Sequence, residues 1–187
     1  MSERAAHKES PDAPTLRDCS LDDAAAIAEI YNESILAGDA TMDTEPKTAE
    51  SIRRLIQGFG PRETILVFER SATVIGWGII KKYSDRTGYR FCCETSVYLR
   101  RTEVGRGLGT RMKLALIERC RDFGYHHLVA KIFADNVSSI EYNKRLGYEM
   151  VGVQREIGWK NGRWLDVAIL QLVLDDVVPA GGPGGAP

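Results

Sequence analysis

The chain has 187 residues, 43% hydrophobic and 27% charged, with a formal net charge of −1. That length supports one domain with a substantial core, and the balanced charge excludes a strong global field that would recruit nucleic acid or an anionic membrane. No apolar run reaches the roughly 20 residues that a spanning helix needs, and the polar opening "MSERAAHKESPDAP" holds no stretch like a signal peptide, so a cytoplasmic location is expected.

Residues 1–13 are polar with one proline, and residues 179–187, "PAGGPGGAP", are almost entirely Gly, Pro and Ala. Both are expected to be disordered tails around one domain, 14–178. "TLRDCS" reads as a short strand, followed by a helix in "SLDDAAAIAEIYNESILAG". Ser20 is its cap, Leu21, Ala24, Ile27, Ala28, Tyr31 and Ile35 its apolar stripe, and Gly38 its stop. "TAESIRRLIQGFG" is a second, shorter helix. "ETILVFER" and "TVIGWGIIKKY" read as strands, and a third β-like run extends from Tyr89 to about Leu99. A helix from about Gly107 to Phe123 carries Met112, Leu116, Ile117 and Cys120 on its apolar face. "HHLVAKIFA" is then a strand, "NVSSIEYNKRLG" a helix, and "YEMVGVQREIGWKNGRWLDVAILQLVL" a hairpin turning at Lys160–Asn161–Gly162. The order β, α, α, β, β, β, α, β, α, β, β describes an α/β fold, a mixed, largely antiparallel sheet flanked by helices.

The cysteines, Cys19, Cys92, Cys93 and Cys120, have the spacing of neither a zinc site nor a disulfide framework, and are read as reduced thiols. No metal is expected. The stretch "VGRGLGTRM" is more informative. Gly105, Gly107 and Gly109 lack the spacing of a dinucleotide fingerprint, and nothing in the chain matches a Walker loop. Glycines entering a helix nevertheless bring unpaired N–H groups together. Residues 105–110, with Gly105, Arg106, Gly107, Leu108, Gly109 and Thr110, have the donors and the positive charge to hold a diphosphate.

"SVYLRRTEVGRGLGTRMKLALIE" resembles the coenzyme A loop of the GNAT acetyltransferase superfamily, with Gly107 and Gly109 on its glycines and Val104 where a Gln or Arg is usual. "NVSSIEYNKRLGY" resembles the Asn-led helix that closes the coenzyme site, matching at Asn136, Gly147 and Tyr148, with Asn143 where Tyr, or in some members His, is frequent. From about Thr15 to Leu174 the chain is most similar to the phosphinothricin N-acetyltransferase branch, through "IYNESI", "TMDTEPKT", "RTGYRFCCETSVYL" and "GWKNGRWLDVAILQ". The resemblance implies the GNAT fold and an acetyl-CoA-dependent N-acetyltransferase acting on the α-amine of a small amino acid or analogue, such as phosphinothricin or methionine sulfoximine, by direct attack on the thioester. It implies Glu94 as catalytic base, a coenzyme site formed by Val97, Tyr98, Leu99, the loop 105–110, Asn136 and Asn143, and an acceptor site at Arg86, Tyr89, Ser96 and Tyr98. Arg86 would hold the substrate carboxylate through a bidentate fork. Strand alternation puts Glu94, Ser96 and Tyr98 on one face and Thr95, Val97 and Leu99 on the other. The final hairpin has no histidine, so Glu94 is expected to act alone or through water. A homodimer is implied, with Trp159 and Trp164 available to it. The competing readings are a protein N-terminal or polyamine acetyltransferase, which an acidic groove would favour, and a coenzyme A-binding module without turnover.

Overall fold

The computed structural model describes residues 13–178. All but one residue of the expected tails lies outside the described residues. The element order is β1 (Thr15–Asp18), α1 (Ala24–Ala37), α2 (Ala49–Gln57), β2 (Thr64–Arg70), β3 (Thr73–Lys82), β4 (Cys92–Leu99), α3 (Leu108–Asp122), β5 (His127–Phe133), α4 (Val137–Arg145), β6 (Glu149–Lys160) and β7 (Arg163–Val173). This is the order read from the sequence, with two differences at element ends. The first helix opens as a 3-10 turn, Leu21–Asp23, because the Asp23 carboxylate accepts the Ser20 N–H at 2.7 Å and is itself clamped by Arg17. The third β-run starts later than expected. Tyr89 N–H donates to the Arg86 carbonyl at 2.9 Å and Arg90 N–H to that of Thr87 at 3.1 Å, so Thr87–Tyr89 is a 3-10 turn and the strand begins at Cys92.

The strands form one seven-stranded sheet in the order β1-β2-β3-β4-β5-β7-β6. All neighbours are antiparallel except β4 and β5. Helices cover both faces. Ile27 and Ile30 of α1 and Ile52 of α2 pack with Ile65, Val67, Trp77 and Ile79 on one face. Met112, Leu116 and Cys120 of α3 pack with Leu66, Phe68, Ile80, Cys93 and Leu128 on the other. Gly78 permits the α3 approach: a Cβ there would come within 2.7 Å of the Met112 side chain. Asn161 and Gly162 both have positive φ, 51° and 75°, which turns the β6–β7 hairpin tightly.

The parallel pair β4–β5 is short. Cys92, Cys93 and Glu94 pair with His127, Leu128 and Val129, and the register stops there. On their outer sides both strands continue, β4 against β3 as far as Leu99–Gly76 and β5 against β7 as far as Phe133–Val167. The two halves of the sheet therefore splay apart after Glu94 and leave one edge of Thr95–Leu99 open.

Candidate active site

Strand geometry decides what the open edge presents. Cys92 C=O accepts from Tyr83 N–H at 3.2 Å, and Arg100 N–H donates to Ile75 C=O at 2.9 Å. The even-numbered residues of β4 thus direct their backbone polar groups toward β3 and its flanks. A strand alternates these directions, and the β3–β4 register runs without a shift. Thr95 C=O and the N–H and C=O of Val97 and Leu99 consequently point into the wedge. An extended molecule carrying amide groups fits such an edge as an added strand would.

The far end of this edge leads into the glycine loop. Gly105 and Gly107 have φ of 82° and 77°, the left-handed region where any other residue is strained. At neither would a Cβ meet anything within 4 Å, so conformation, not crowding, requires glycine. Gly107 caps α3, and the first bond of the helix is Arg111 N–H to Gly107 C=O at 3.2 Å. The N–H groups of Leu108, Gly109 and Thr110 precede that ladder at the positive end of the helix dipole. Arg106 lies beside them, 60% exposed, with Glu103 at 3.7 Å. Opposite, Asn136 caps α4 by accepting the Ser139 N–H at 3.1 Å. Asn143 is buried in the wedge wall and donates to Ser139 C=O at 2.8 Å, while its Oδ1 has no partner among the described residues. A buried acceptor without a donor suits a ligand amide.

Glu94 stands at the apex, where the strands part. The observed faces follow the alternation: Tyr98 packs with α1 and Trp77, whereas Cys93, Val97 and Leu99 join the α3 cluster. On the Glu94 side is a cleft of about 390 Å³ lined by Tyr31, Asp43, Lys81, Ser96, Tyr98 and Lys131, among others. Glu94 is 20% exposed and its Oε2 lies 2.7 Å from Lys131 Nζ. Lys81 is its cross-strand partner on β3. Two cations therefore flank the carboxylate. Tyr98 stacks edge-on with Tyr31 at 4.8 Å and tilted against Trp77 at 4.6 Å, forming an aromatic wall. Tyr31 Oη donates to Asp43 Oδ2 at 2.8 Å and bonds Thr41 Oγ1 at 2.7 Å. Burial pushes the Tyr31 phenol far above its usual range, so it stays a neutral donor. For Asp43, burial is outweighed by bonds from Tyr31 and Lys47, which hold its carboxyl below the usual range.

The structure brings Glu94, Ser96 and Tyr98 together at one cleft, and Val97, Asn136 and Asn143 at the wedge, with Leu99 farther along the open edge of β4. It does not bring Arg86 to either. Arg86 is exposed at the start of the Thr87–Tyr89 turn. Tyr89 lines a separate cleft of about 740 Å³ that shares Lys131 and Gln154 with the Glu94 cleft. Four lysines escaped the sequence reasoning. Lys81 and Lys131 look like solvated strand charges until β4 is placed between their strands. Lys160 is 3% exposed and donates to the carbonyls of Thr41 and Asp43 at 2.8 and 2.6 Å, which pins the cleft's outer wall. Burial lowers its proton affinity. Lys113 was visible in principle, as a lysine inside the apolar stripe of α3, with Leu116, Ile117 and Cys120 at helical spacing beyond it.

A family model described as an acetyltransferase (GNAT) domain matches residues 16–169. The chain belongs to the GNAT acetyltransferase family. It is similar to an L-methionine sulfoximine/L-methionine sulfone acetyltransferase of Salmonella typhimurium, 34% identical over 87% of this chain and 95% of that one. It is also similar to a phosphinothricin N-acetyltransferase of Alcaligenes faecalis, 30% identical over 94% of this chain and 96% of that one. Among solved structures, a GNAT superfamily phosphinothricin acetyltransferase from Sinorhizobium meliloti in complex with AcCoA superposes with a TM-score of 0.83 at 34% identity, covering 93% of this chain and 92% of that one. The protein is an N-acetyltransferase, and its mixed seven-stranded sheet flanked by helices shares the fold of its GNAT neighbours. No described helix is long and apolar enough to cross a membrane.

Proposed function

We propose that this GNAT enzyme transfers the acetyl group of acetyl-CoA to the α-amine of a small amino acid or analogue, of the kind its relatives' names describe: methionine sulfoximine, methionine sulfone or phosphinothricin. The observation that carries the reading is the end of β4–β5 pairing at Glu94. One residue thereby marks both the tip of a wedge suited to a pantetheine arm and the floor of a cleft suited to an amine.

In this reading the diphosphate rests on the N–H groups of residues 105–110 with Arg106, the backbones of Val97 and Leu99, either side of Tyr98, carry the arm, and Asn136 and Asn143 close the site. Val104 lacks a side chain for phosphate, but its neighbours' N–H groups remain. Bound there, the coenzyme supplies an activated thioester. Glu94 takes a proton from the acceptor nitrogen. A backbone N–H of β4 polarises the acyl oxygen. Ser96 and Tyr98 line the acceptor. Lys81 and Lys131 flank the cleft and favour a carboxylate-bearing acceptor over a polyamine. The acceptor's carboxylate competes with Glu94 for Lys131, so acceptor binding frees the Glu94 carboxylate for its proton. Tyr89 extends the acceptor site from the neighbouring cleft, and Arg86, exposed at the start of the same turn, is the proposed carboxylate ligand at its rim. The reading carries with it a cytoplasmic homodimer.

The test is a screen of amino acids and analogues with acetyl-CoA, following release of the free thiol. Turnover is expected first with phosphinothricin and methionine sulfoximine. Absence of calorimetric heat with both coenzyme A and acetyl-CoA would remove the assignment.

A further inference from the structure

The wedge contains a charge that neither the fold nor the acceptor cleft explains. Lys113, in the second turn of α3, is 2% exposed. Its Nζ donates to Thr95 Oγ1 at 2.7 Å and to Thr95 C=O at 3.3 Å, and sits 4.8 Å from the centre of the Tyr148 ring. The Thr95 and Tyr148 hydroxyls, 3.3 Å apart, complete the cluster. No carboxylate forms an ion pair with Lys113 among the described residues; the titratable groups around it are Cys93 of β4, Cys120 of α3, Tyr142 of α4 and Tyr148 beyond it, with Lys131 of β5 on the same cavity and Glu94 acting from the other side of the sheet. A buried ammonium served only by neutral oxygens and a ring is costly, and a leucine or methionine would satisfy the same packing.

Its position is specific. Thr95 C=O is the first backbone group of β4 released into the wedge after pairing stops at Glu94–Val129. An arm that starts at the 105–110 loop and follows the open edge passes Leu99, then Val97, and ends at Thr95. It can go no further, because β4 and β5 are hydrogen-bonded there. The sulfur end of the arm therefore lies at the Lys113 end of the wedge. Glu94 faces the opposite side of the sheet, so the acceptor approaches from one side and the ammonium stands on the other.

We propose that Lys113 is a catalytic residue for the leaving group: its ammonium stabilises the coenzyme A thiolate as the carbon–sulfur bond breaks and donates a proton to that sulfur. The assignment rests on the acetyl-transfer reading above. The acceptor nitrogen's lone pair forms the bond to the acyl carbon, and the carbon–sulfur pair leaves on sulfur. Sulfur takes a proton from Lys113 Nζ, and the acceptor nitrogen loses one to Glu94. Water then reprotonates Lys113 and deprotonates Glu94, which restores both. Burial holds the Lys113 proton loosely, with a pKa lowered to about 8, so the ammonium predominates at neutral pH and still transfers readily. This fills the role that a tyrosine at position 143 would otherwise offer.

The test compares coenzyme A with desulfo-coenzyme A, which lacks the thiol. In calorimetry, the preference of the wild-type enzyme for coenzyme A over desulfo-coenzyme A is expected to grow as the pH is raised from about 6 to about 9, with ultraviolet thiolate absorbance appearing in the complex below the free thiol's range. Lys113→Met should bind both ligands alike at every pH, and its kcat should fall by about 10²–10³-fold with KM for acetyl-CoA nearly unchanged. A readout needing no variant is the side-chain nitrogen resonance of Lys113, whose titration should move up with coenzyme A and stay put with desulfo-coenzyme A. If both ligands bind but affect that resonance equally, or the variant keeps full kcat, the Lys113 role is overturned and the acetyl-transfer reading survives. If neither ligand binds the wild type, both fall.

Discussion

Glu94 and Lys113 sit on opposite sides of β4, and each reports on its own surroundings. Replacing Glu94 by Gln removes the proposed proton acceptor while keeping its shape. The expected outcome is a fall in kcat/KM of about 10² or more with coenzyme A affinity unchanged, read by steady-state kinetics beside calorimetry. A matching fall in affinity would mean that the carboxylate orders the wedge instead. Lys113 makes a stability prediction. Its folded pKa of about 8 lies below the ordinary 10.5 because burial penalises the charged form. Below about pH 8 the group is charged in both states and the native state bears the full penalty. Between about 8 and 10.5 the native lysine loses its proton while the unfolded one keeps it, so this group's contribution to stability rises with pH. The stability gap between wild type and Lys113→Met, measured by urea unfolding, should therefore move in favour of the wild type by about 2–3 kcal/mol from pH 7 to pH 10. A gap that stays flat would mean that water reaches the ammonium.

At the scale of elements, the glycine loop and the splayed strands make one device, and the sequence revealed its parts unequally. Gly105, Gly107 and Gly109 ahead of an amphipathic helix were legible because positive φ and free N–H groups impose a residue type. The faces of β4 were legible because alternation is a local rule, and Tyr98 and Val97 obey it. The end of the β4–β5 pairing was not legible, since it depends on β7 drawing β5 away, a contact far along the chain. For the same reason Lys81 and Lys131 gained meaning only once their strands flanked β4, and Lys160 only once its hairpin reached the 41–43 segment. Arg86 illustrates the converse: motif position suggests a carboxylate ligand, while the local turn leaves it exposed. Gly107→Ala tests the device. A Cβ meets no atom there, so the cost comes from φ of 77° alone, about 1 kcal/mol in unfolding. Relief of that strain would rotate the N–H groups of residues 105–110, so coenzyme A affinity should drop at least about tenfold by calorimetry, more than the stability loss alone accounts for. Unchanged affinity would show that the diphosphate is held elsewhere.

Across the whole molecule, the two halves of the sheet are covered differently. Helices α1 and α2 lie over β2–β4 on the Glu94 face, but over β5, β7 and β6 that face carries the cleft of about 740 Å³ with Val151, Val153 and Ile169 in its lining. Along the same hairpin Val151, Val153, Ile157, Trp159 and Trp164 are exposed, the two tryptophans stacked edge-on at 5.1 Å. A row of exposed apolar side chains along an edge hairpin is costly in water, and a second copy of the chain, bringing the same row, is the occupant that a homodimer supplies. Sedimentation should therefore find a dimer, and Val151→Glu with Val153→Glu should shift it to monomer by burying charge at the contact. The consequence for activity distinguishes this from general damage. That cleft shares Lys131 and Gln154 with the Glu94 cleft, whereas the glycine loop stands apart from both. The monomeric variant should accordingly show a raised KM for the amine and an unchanged affinity for coenzyme A. A wild-type monomer, or a variant that loses both ligands together, would leave the apolar row without a partner and the acceptor cleft complete within one chain.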